Sequence, residues 1–144
     1  MESLNPSDKI TLSQSKIPNA GKGVFAAKDI LKGELIERCP AVLFSIDDPS
    51  NADKGILERY CFYFGDEPNV KKALAIVFGY GSFYNHSYEP NAKYVRRPSE
   101  MVMDFIAIKN IKKGEEITTN YNFGNPDDKS TPYGDHGIPE YEEK

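Results

Sequence analysis

Two short segments carry the most information in this chain: residues 81–91 read GSFYNHSYEPN, and residues 114–123 read GEEITTNYNF. The first gathers polar, turn-forming residues around His86, the only histidine before the C-terminal tail. The second alternates polar and apolar residues as a strand does and then reaches Tyr121. Neither composition is typical of ordinary strand or helix, so together they predict a functional site.

The length and composition predict one soluble globular domain. The chain has 144 residues, of which 39% are hydrophobic and 28% charged, enough to bury one core but not two. No stretch approaches the roughly eighteen apolar residues of a membrane span, and no basic region followed by an apolar core opens the chain. We therefore expect an intracellular protein, in the cytoplasm or the nucleus and chromatin, with no membrane partner. Secretion as an effector without a classical signal stays open.

Charge and cysteine content narrow the partners. A net charge of −4 argues against direct binding of nucleic acid and suits a basic partner such as a lysine-rich protein tail. Cys39 and Cys61 lack CxxC spacing, and we expect both to be buried thiols. The alternative is a hydrolase built on Cys61 and His86. We expect no metal, because the only other histidine is His136 in the tail and no cysteine cluster exists.

The residue patterns predict a mainly β domain. Segments in which β-branched and aromatic residues dominate or alternate with polar ones are expected to be strands, namely 10–14, 23–27, 35–39, 41–44 and 101–108. Residues 71–78 fit a strand or a helix, and residues 52–60 predict a short helix. Residues 1–9 form an N-terminal extension to a domain spanning 10–124. Residues 125–144 form an acidic tail or flap whose composition cannot build a core of its own.

Two segments of the chain are similar to each other in sequence. Residues 28–36 read KDILKGELI, and residues 109–117 read KNIKKGEEI. Each copy centres on a Lys-Gly pair that leads into a strand, so we expect two equivalent structural turns.

Two short motifs could contact a ligand. Gly21 and Gly23 flank the entrance to a strand, where the lack of a Cβ lets backbone approach a ligand, although a plain turn explains this pair better. The third glycine, helix and acidic residue of a dinucleotide-binding fingerprint are missing. The turn at Asn85 and His86 can present backbone groups to the edge of an adenine, and the Asn85 amide can donate and accept in one plane. A polar turn stabilised by its own side chains is the alternative.

Taken in order, GxG at 21–23, NHSxxPN at 85–91 and GEEITxxY at 114–121 resemble the SET domain of protein-lysine methyltransferases. The resemblance covers roughly residues 10–123. It implies several small β-sheets with short helices and a C-terminal pseudoknot, in which the segment carrying Tyr121 passes beneath a preceding loop. It also implies methyl transfer from S-adenosylmethionine to the ε-amine of a protein lysine. A catalytically inactive SET-fold binding module is the alternative.

The resemblance also implies roles for individual residues. Tyr121 matches the catalytic tyrosine, whose hydroxyl lies beside the transferring methyl group. The implied cofactor-binding positions are Lys22, Gly23, Val24, Phe25, Tyr84, Asn85, His86 and Tyr121. The implied lysine channel is lined by Tyr60, Phe83, Tyr84, Thr119 and Phe123.

The chemistry of methyl transfer fits such a site. The reaction is an in-line displacement at a sulfonium methyl, so the enzyme mainly aligns the reactants. The attacking lysine must be neutral, and with a reference pKa near 10.4 its deprotonation at pH 7 costs about 4–5 kcal/mol. An aromatic channel that excludes water, together with the positive charge of the cofactor, lowers that cost.

Three positions depart from the family pattern. Ser82 stands where many members have arginine, and Tyr88 stands where many have a zinc-binding cysteine. With no cysteine between residues 124 and 144, we expect no zinc-bound C-terminal element there. Thr119 replaces a bulky aromatic and predicts room for more than one methyl group; the alternative is that another channel residue fills this space. The substrate, a histone-like or other lysine-rich protein, stays open, and so does a homodimer that would complete the substrate groove.

Overall fold

The computed structural model describes residues 4–45, 60–67 and 70–121. Within these ranges nine strands form two sheets, and the mainly β prediction is confirmed. The strands are β1 Ile10–Gln14, β2 Lys22–Ala26, β3 Leu35–Ser45, β4 Cys61–Glu67, β5 Val70–Val77, β6 Asn85–His86, β7 Ala92–Arg97, β8 Val102–Ala107 and β9 Glu116–Thr119. Two short 3₁₀ turns lie at Gly81–Phe83 and Pro98–Glu100. The helix predicted at 52–60 lies outside the described residues except for Tyr60.

The larger sheet has the strand order β4-β5-β3-β8-β7. Its long central strand β3 is continuous through Pro40, where the sequence predicted two separate strands. Up to Pro40 the strand pairs with β8, and from Ala41 onward it pairs with β5. The proline therefore sits where β3 changes partner, the position at which a missing N–H disturbs the ladder least. The ambiguous segment 71–78 is resolved as strand β5.

The smaller sheet has the order β1-β2-β9-β6 and contains both motif segments. Strand β9 is antiparallel to β2 and parallel to β6, with Asn85 opposite Thr118 and His86 opposite Thr119. A parallel pair needs a crossover connection, and here β7 and β8 provide it. Asn91 fastens the loop after β6 to β9, because its amide donates to the Glu116 carbonyl and accepts from the Thr118 N–H, both at 2.9 Å.

The two Lys-Gly turns face each other as a pseudo-symmetric corner. Ile30 and Ile111 exchange backbone hydrogen bonds of 2.8 Å in both directions. Asp29 Oδ1 accepts from the N–H of Lys113, and Asn110 Oδ1 accepts from the N–H of Lys32, both at 2.9 Å. Gly33 and Gly114 close the turns at φ +92° and +89°, a left-handed conformation that favours glycine.

The core joins both sheets. Its fully buried members come from the small sheet, the symmetric corner and the large sheet, and include Val24, Ile117, Ile30, Ile111, Ile36, Cys39, Met103 and Phe105. Both cysteines are buried thiols, as expected. No helix in the described part of the chain is long and apolar enough to cross a membrane.

A buried carboxylate joins three strands of the large sheet. Asp104 on β8 accepts from Arg38 Nε at 2.6 Å and Nη2 at 2.8 Å, and from Arg97 Nε at 2.6 Å. The hydrogen bond from Arg38 is the main reason that the pKa of Asp104 is lowered, with a further contribution from Arg97. This cluster fastens β3 and β7 to β8.

Candidate functional site

Tyr121 lies two residues after the end of β9 and is held at three points. Its hydroxyl donates to the carbonyl oxygen of Tyr84 at 2.5 Å, and its N–H donates to Nδ1 of His86 at 3.0 Å. The hydroxyl of Tyr94 donates to its carbonyl oxygen at 3.3 Å. The side chain is half-buried. Backbone and hydroxyl are thus both fixed by residues that precede Tyr121 by 27 to 37 positions.

His86 is buried on β6, and its ring orients Tyr121. Because Nδ1 accepts the N–H of Tyr121, the neutral ring carries its proton on Nε2. The ring packs perpendicular to that of Tyr88 at 4.5 Å and tilted against that of Tyr121 at 5.2 Å, between ring centroids. Tyr88, which replaces the zinc-binding cysteine of the family pattern, is therefore an aromatic support for His86.

Asn85 and Glu116 join three segments of the small sheet. The Asn85 amide donates to the Lys22 carbonyl at 3.0 Å and to Glu116 Oε1 at 3.1 Å. The same carboxylate accepts from the Ser15 hydroxyl at 2.6 Å and, through Oε2, from the N–H of Lys16 at 3.2 Å. Glu116 thus fastens the 15–16 loop to Asn85, and Asn85 in turn fastens the entrance of β2.

Glu116 was not predicted as a site residue, although a comparison of the two similar turns, 28–36 and 109–117, could have indicated it. The position equivalent to Glu116 in the first copy is Leu35. A carboxylate that replaces an apolar residue within otherwise similar turns indicates a polar partner, which here is the Asn85 amide.

The two glycines of the GxG motif have different structural roles. A Cβ on Gly23 would clash with Glu116 Oε1 and lie 3.0 Å from the Asn85 amide nitrogen. Gly23 is therefore needed by the protein's own packing. Gly21 has φ +74° with nothing within 4 Å of a built Cβ, so it serves the turn. The side chains of Val24 and Phe25 are buried, which leaves their backbone for any ligand contact.

The side chain of Tyr84 belongs to the core. It is 1% exposed, its ring stacks on Phe105 with centroids 4.1 Å apart, and its hydroxyl donates to Glu37 Oε1 at 2.9 Å. Burial first, and then the charge of Glu37, raise the pKa of Tyr84 well above its usual value. The group through which Tyr84 meets Tyr121 is its carbonyl oxygen, which narrows the channel role predicted for this residue to its backbone.

The other predicted channel residues fall into two places. Tyr60 is 41% exposed and meets half-buried Phe83 edge-on, with ring centroids 6.1 Å apart. Thr119 is fully buried, and its hydroxyl has no hydrogen-bond partner among the described residues. Phe123 lies outside the described residues. No group of three or more His, Cys, Asp or Glu side chains within the described ranges could hold a metal ion.

Comparison with known proteins places this geometry in context. A family model described as SET domain matches residues 21–122. The chain is 30% identical over 130 residues to the histone-lysine N-methyltransferase EZH2 of Chaetomium thermophilum, covering 81% of this chain and 8% of that protein. It is 28% identical over 102 residues to the histone-lysine N-methyltransferase, H3 lysine-37 specific, of Schizosaccharomyces pombe, covering 70% of this chain and 66% of that protein. The chain thus spans less than two thirds of either relative.

Solved structures of similar sequence show the same fold. A crystal structure of a histone methyltransferase candidate from Plasmodium falciparum superposes with a TM-score of 0.61 at 31% identity, covering 82% of this chain and 95% of that one. A structure of ctPRC2 bound to S-adenosylmethionine superposes with a TM-score of 0.63 at 27% identity, covering 85% of this chain and 16% of that one.

Proposed function

This chain belongs to the SET-domain family, and from that premise we propose that it transfers a methyl group from S-adenosylmethionine to the ε-amine of a protein lysine. The observation that carries the proposal is the placement of Tyr121. Its hydroxyl and backbone are held by Tyr84, His86 and Tyr94, beside the clamp that Asn85 forms with Lys22.

The polar groups around Tyr121 fit a sulfonium methyl donor. The Tyr84 carbonyl and the Tyr121 hydroxyl are neutral oxygens, whereas the nearby carboxylates of Glu37 and Glu116 are occupied by protein donors. A neutral environment suits a reaction in which the positive charge on sulfur disappears, because an anion beside the sulfur would stabilise the reactant more than the transition state. When bound, S-adenosylmethionine supplies the methyl group.

Named residues would hold the cofactor and orient the reaction. The backbone of Lys22 and Gly23 and the turn at Asn85 and His86 are the proposed binding groups. The hydroxyl of Tyr121 is the proposed catalytic group, and its fixed position provides the alignment that an in-line displacement requires. Val24 and Phe25 contribute through backbone atoms, because their side chains are buried.

The lysine is proposed to approach past Tyr60 and Phe83, with Thr119 and the Tyr84 carbonyl nearer to Tyr121. An aromatic approach keeps water away and favours the neutral amine that must attack. Thr119 is smaller than the aromatic residue common at this position, but it is fully buried, so room for more than one methyl group requires that its neighbours do not already fill that space.

The proposed substrate is a lysine in a basic, histone-like protein. The two curated relatives described above are both named histone-lysine N-methyltransferases, and a net charge of −4 suits a basic substrate. Such a substrate implies work in the nucleus at chromatin.

The test is methyl transfer from labelled S-adenosylmethionine to recombinant histones, followed by mass spectrometry of the modified lysines. We expect label on lysine with the wild-type chain and at least about tenfold less with Tyr121→Phe. Calorimetry with S-adenosylmethionine separates the alternatives. Binding without transfer to histones or to other lysine-rich proteins would favour a binding module, and no detectable binding would overturn the enzyme function.

A further inference from the structure

We propose that Glu37 fixes the position of the Tyr121 hydroxyl by holding Tyr84, and so acts as a positioning residue for the methyl transfer proposed above, on which its catalytic consequence rests. Glu37 lies on β3, in the larger sheet, and no sequence motif singles it out. Its effect on Tyr121 passes through Tyr84, which contacts both residues.

The carboxylate of Glu37 is buried, and its donors include one side chain and one backbone group of the segment that enters the site. Glu37 is 7% exposed. Its Oε1 accepts from the Tyr84 hydroxyl at 2.9 Å, and its Oε2 accepts from the N–H of Tyr80 at 3.0 Å. A carboxylate removed from water is costly unless hydrogen bonds compensate it. The two donors belong to the segment that enters the site, so the carboxylate and that segment stabilise each other's position.

At Gly79 the backbone of the turn that leads to the site packs directly against this carboxylate, because no side chain lies between them. A Cβ on Gly79, which has φ +68°, would lie 2.5 Å from Glu37 Oε2. Tyr80 then starts the 3₁₀ turn Gly81–Phe83, which passes directly into Tyr84 and Asn85. Glu37 therefore holds this segment at its start, through Tyr80, and at its end, through Tyr84.

Tyr84 connects Glu37 to Tyr121 through its side-chain hydroxyl and its backbone carbonyl. Its hydroxyl is held by Glu37, and its ring is held in plane by Phe105, with 12° between the ring planes. Its carbonyl oxygen accepts the Tyr121 hydroxyl at 2.5 Å. Because the ring is 1% exposed and stacked on Phe105, we expect a shift at its hydroxyl end to be passed on to the backbone and hence to the acceptor of Tyr121. The raised pKa of Tyr84 agrees with a hydroxyl that stays a proton donor.

The primary test is Glu37→Gln, compared with Glu34→Gln as a matched control on a more exposed carboxylate. The glutamine side chain introduced in Glu37→Gln can accept from only one of the two donors. If it keeps the Tyr80 N–H, its NH₂ faces the Tyr84 hydroxyl, which must then accept instead of donating and loses the charge-assisted hydrogen bond that holds it. We expect kcat to fall about tenfold in Glu37→Gln with the Kd for S-adenosylmethionine unchanged within about twofold, and no change in Glu34→Gln. An unchanged kcat in a folded Glu37→Gln variant would overturn the proposal.

A double mutant distinguishes positioning from general damage. If Glu37 acts through the Tyr121 hydroxyl, Glu37→Gln should lower the rate about tenfold in the wild-type background and by less than about twofold in Tyr121→Phe. Equal losses in both backgrounds would refute the proposed route. Should Glu37→Gln fail to fold, Tyr84→Phe removes the same hydrogen bond from the other side and should show the same pattern.

A readout without activity keeps this proposal separate from the proposed function. In protein labelled with ¹³C-tyrosine, the Tyr121 ring signals should shift in Glu37→Gln and in Tyr84→Phe but not in Glu34→Gln. Unmoved Tyr121 signals would overturn the positioning role even in an active enzyme. Conversely, shifted signals in a chain that transfers no methyl group would overturn the methyltransferase function and leave the positioning intact.

Discussion

The hydroxyl of Tyr121 donates a hydrogen bond of 2.5 Å to the carbonyl oxygen of Tyr84, a residue 37 positions earlier in the chain. Strand β9 runs parallel to β6, with Thr119 opposite His86, and this brings Tyr121 alongside β6. From there the Tyr121 side chain reaches back to the carbonyl oxygen of Tyr84, the residue that leads into β6. Tyr84 is itself anchored in the core by Glu37 and Phe105. The proposed catalytic hydroxyl is therefore held by the interior of the larger sheet.

Replacing Tyr121 by phenylalanine tests that hydroxyl. Tyr121→Phe keeps the ring that packs against His86 and removes only the donor to Tyr84. We expect methyl transfer to fall at least about tenfold, with S-adenosylmethionine affinity changed by less than about twofold. Single-turnover rates and calorimetry measure the two quantities. Tyr80→Phe, which alters an exposed side chain, is the control, and wild-type turnover in Tyr121→Phe would remove the catalytic role.

We expect cofactor binding and stability to depend on the NH₂ group of the Asn85 side chain, which acts as a hydrogen-bond donor. Asn85→Asp would put a carboxylate oxygen where the amide now donates to the Lys22 carbonyl and to Glu116, about 3 Å from each. Repulsion between the like charges should weaken S-adenosylmethionine binding at least about tenfold and lower the free energy of unfolding by about 2–3 kcal/mol. Calorimetry and urea unfolding measure these effects.

Asn110→Asp is the matched control for that substitution. Among the described residues, Asn110 uses only its Oδ1, as an acceptor for the N–H of Lys32, and Asp29 does the same for Lys113 in the other half of the symmetric corner. An aspartate can therefore replace it, and we expect the free energy of unfolding to change by less than about 0.5 kcal/mol. Equal effects at positions 85 and 110 would contradict the assigned role of the Asn85 donor.

Gly23 and Gly33 should differ in what an added methyl group disturbs. Gly23→Ala would push the Glu116 carboxylate away from Ser15 and Asn85, so we expect weaker S-adenosylmethionine binding, by about fivefold or more, in a folded protein. Gly33→Ala meets no atom within 4 Å but strains a backbone at φ +92°. It should cost about 1–2 kcal/mol of unfolding free energy and leave binding unchanged. Unaltered binding in Gly23→Ala would show that the Glu116 clamp is dispensable.

Acid should unfold this protein partly through Asp104. Because its pKa is lowered from 3.8 in the folded state, Asp104 contributes stability that is present above about pH 4 and is lost as pH falls through the folded pKa. Asp104→Asn leaves Arg38 and Arg97 without their shared carboxylate and should cost about 2–4 kcal/mol at pH 7. Its free energy of unfolding should then vary less between pH 4 and pH 2 than that of the wild type. Urea unfolding across this pH range measures both.

Asp8 provides the contrast. Its pKa is also lowered, mainly by the hydrogen bond from Lys28, but its side chain is exposed and solvent screens the pair. We expect Asp8→Asn to leave both the stability at pH 7 and its acid dependence nearly unchanged. Similar acid profiles for the two variants would contradict the special role of the buried Asp104 cluster.

Several features of the fold could be predicted because they depend on local pattern. Strand β1 agrees with its predicted bounds, and β2 and β8 agree to within a residue at each end. Met101, predicted as strand, instead takes a left-handed conformation at φ +54° that ends the 3₁₀ turn before β8. The short apolar segment at 71–78 stayed ambiguous because an apolar run of that length has no distinguishing period. Only pairing with β3 and β4 shows it to be a strand.

The candidate site likewise combines features that local sequence indicates with contacts that only the tertiary structure reveals. The sequence by itself determined the mainly β class and the two Lys-Gly turns, because alternation and turn chemistry are properties of neighbouring residues. Asn85, His86 and Tyr121 were singled out by the resemblance to SET domains. Only the tertiary structure decided that Tyr84 contributes its carbonyl, and that Glu37 and Glu116 hold the site together. Their partners are distant in the chain: 47 residues separate Glu37 from Tyr84, and 101 separate Glu116 from Ser15. A carboxylate on a strand looks the same in sequence whether it faces water or a buried donor, and only the packing of the sheets distinguishes the two.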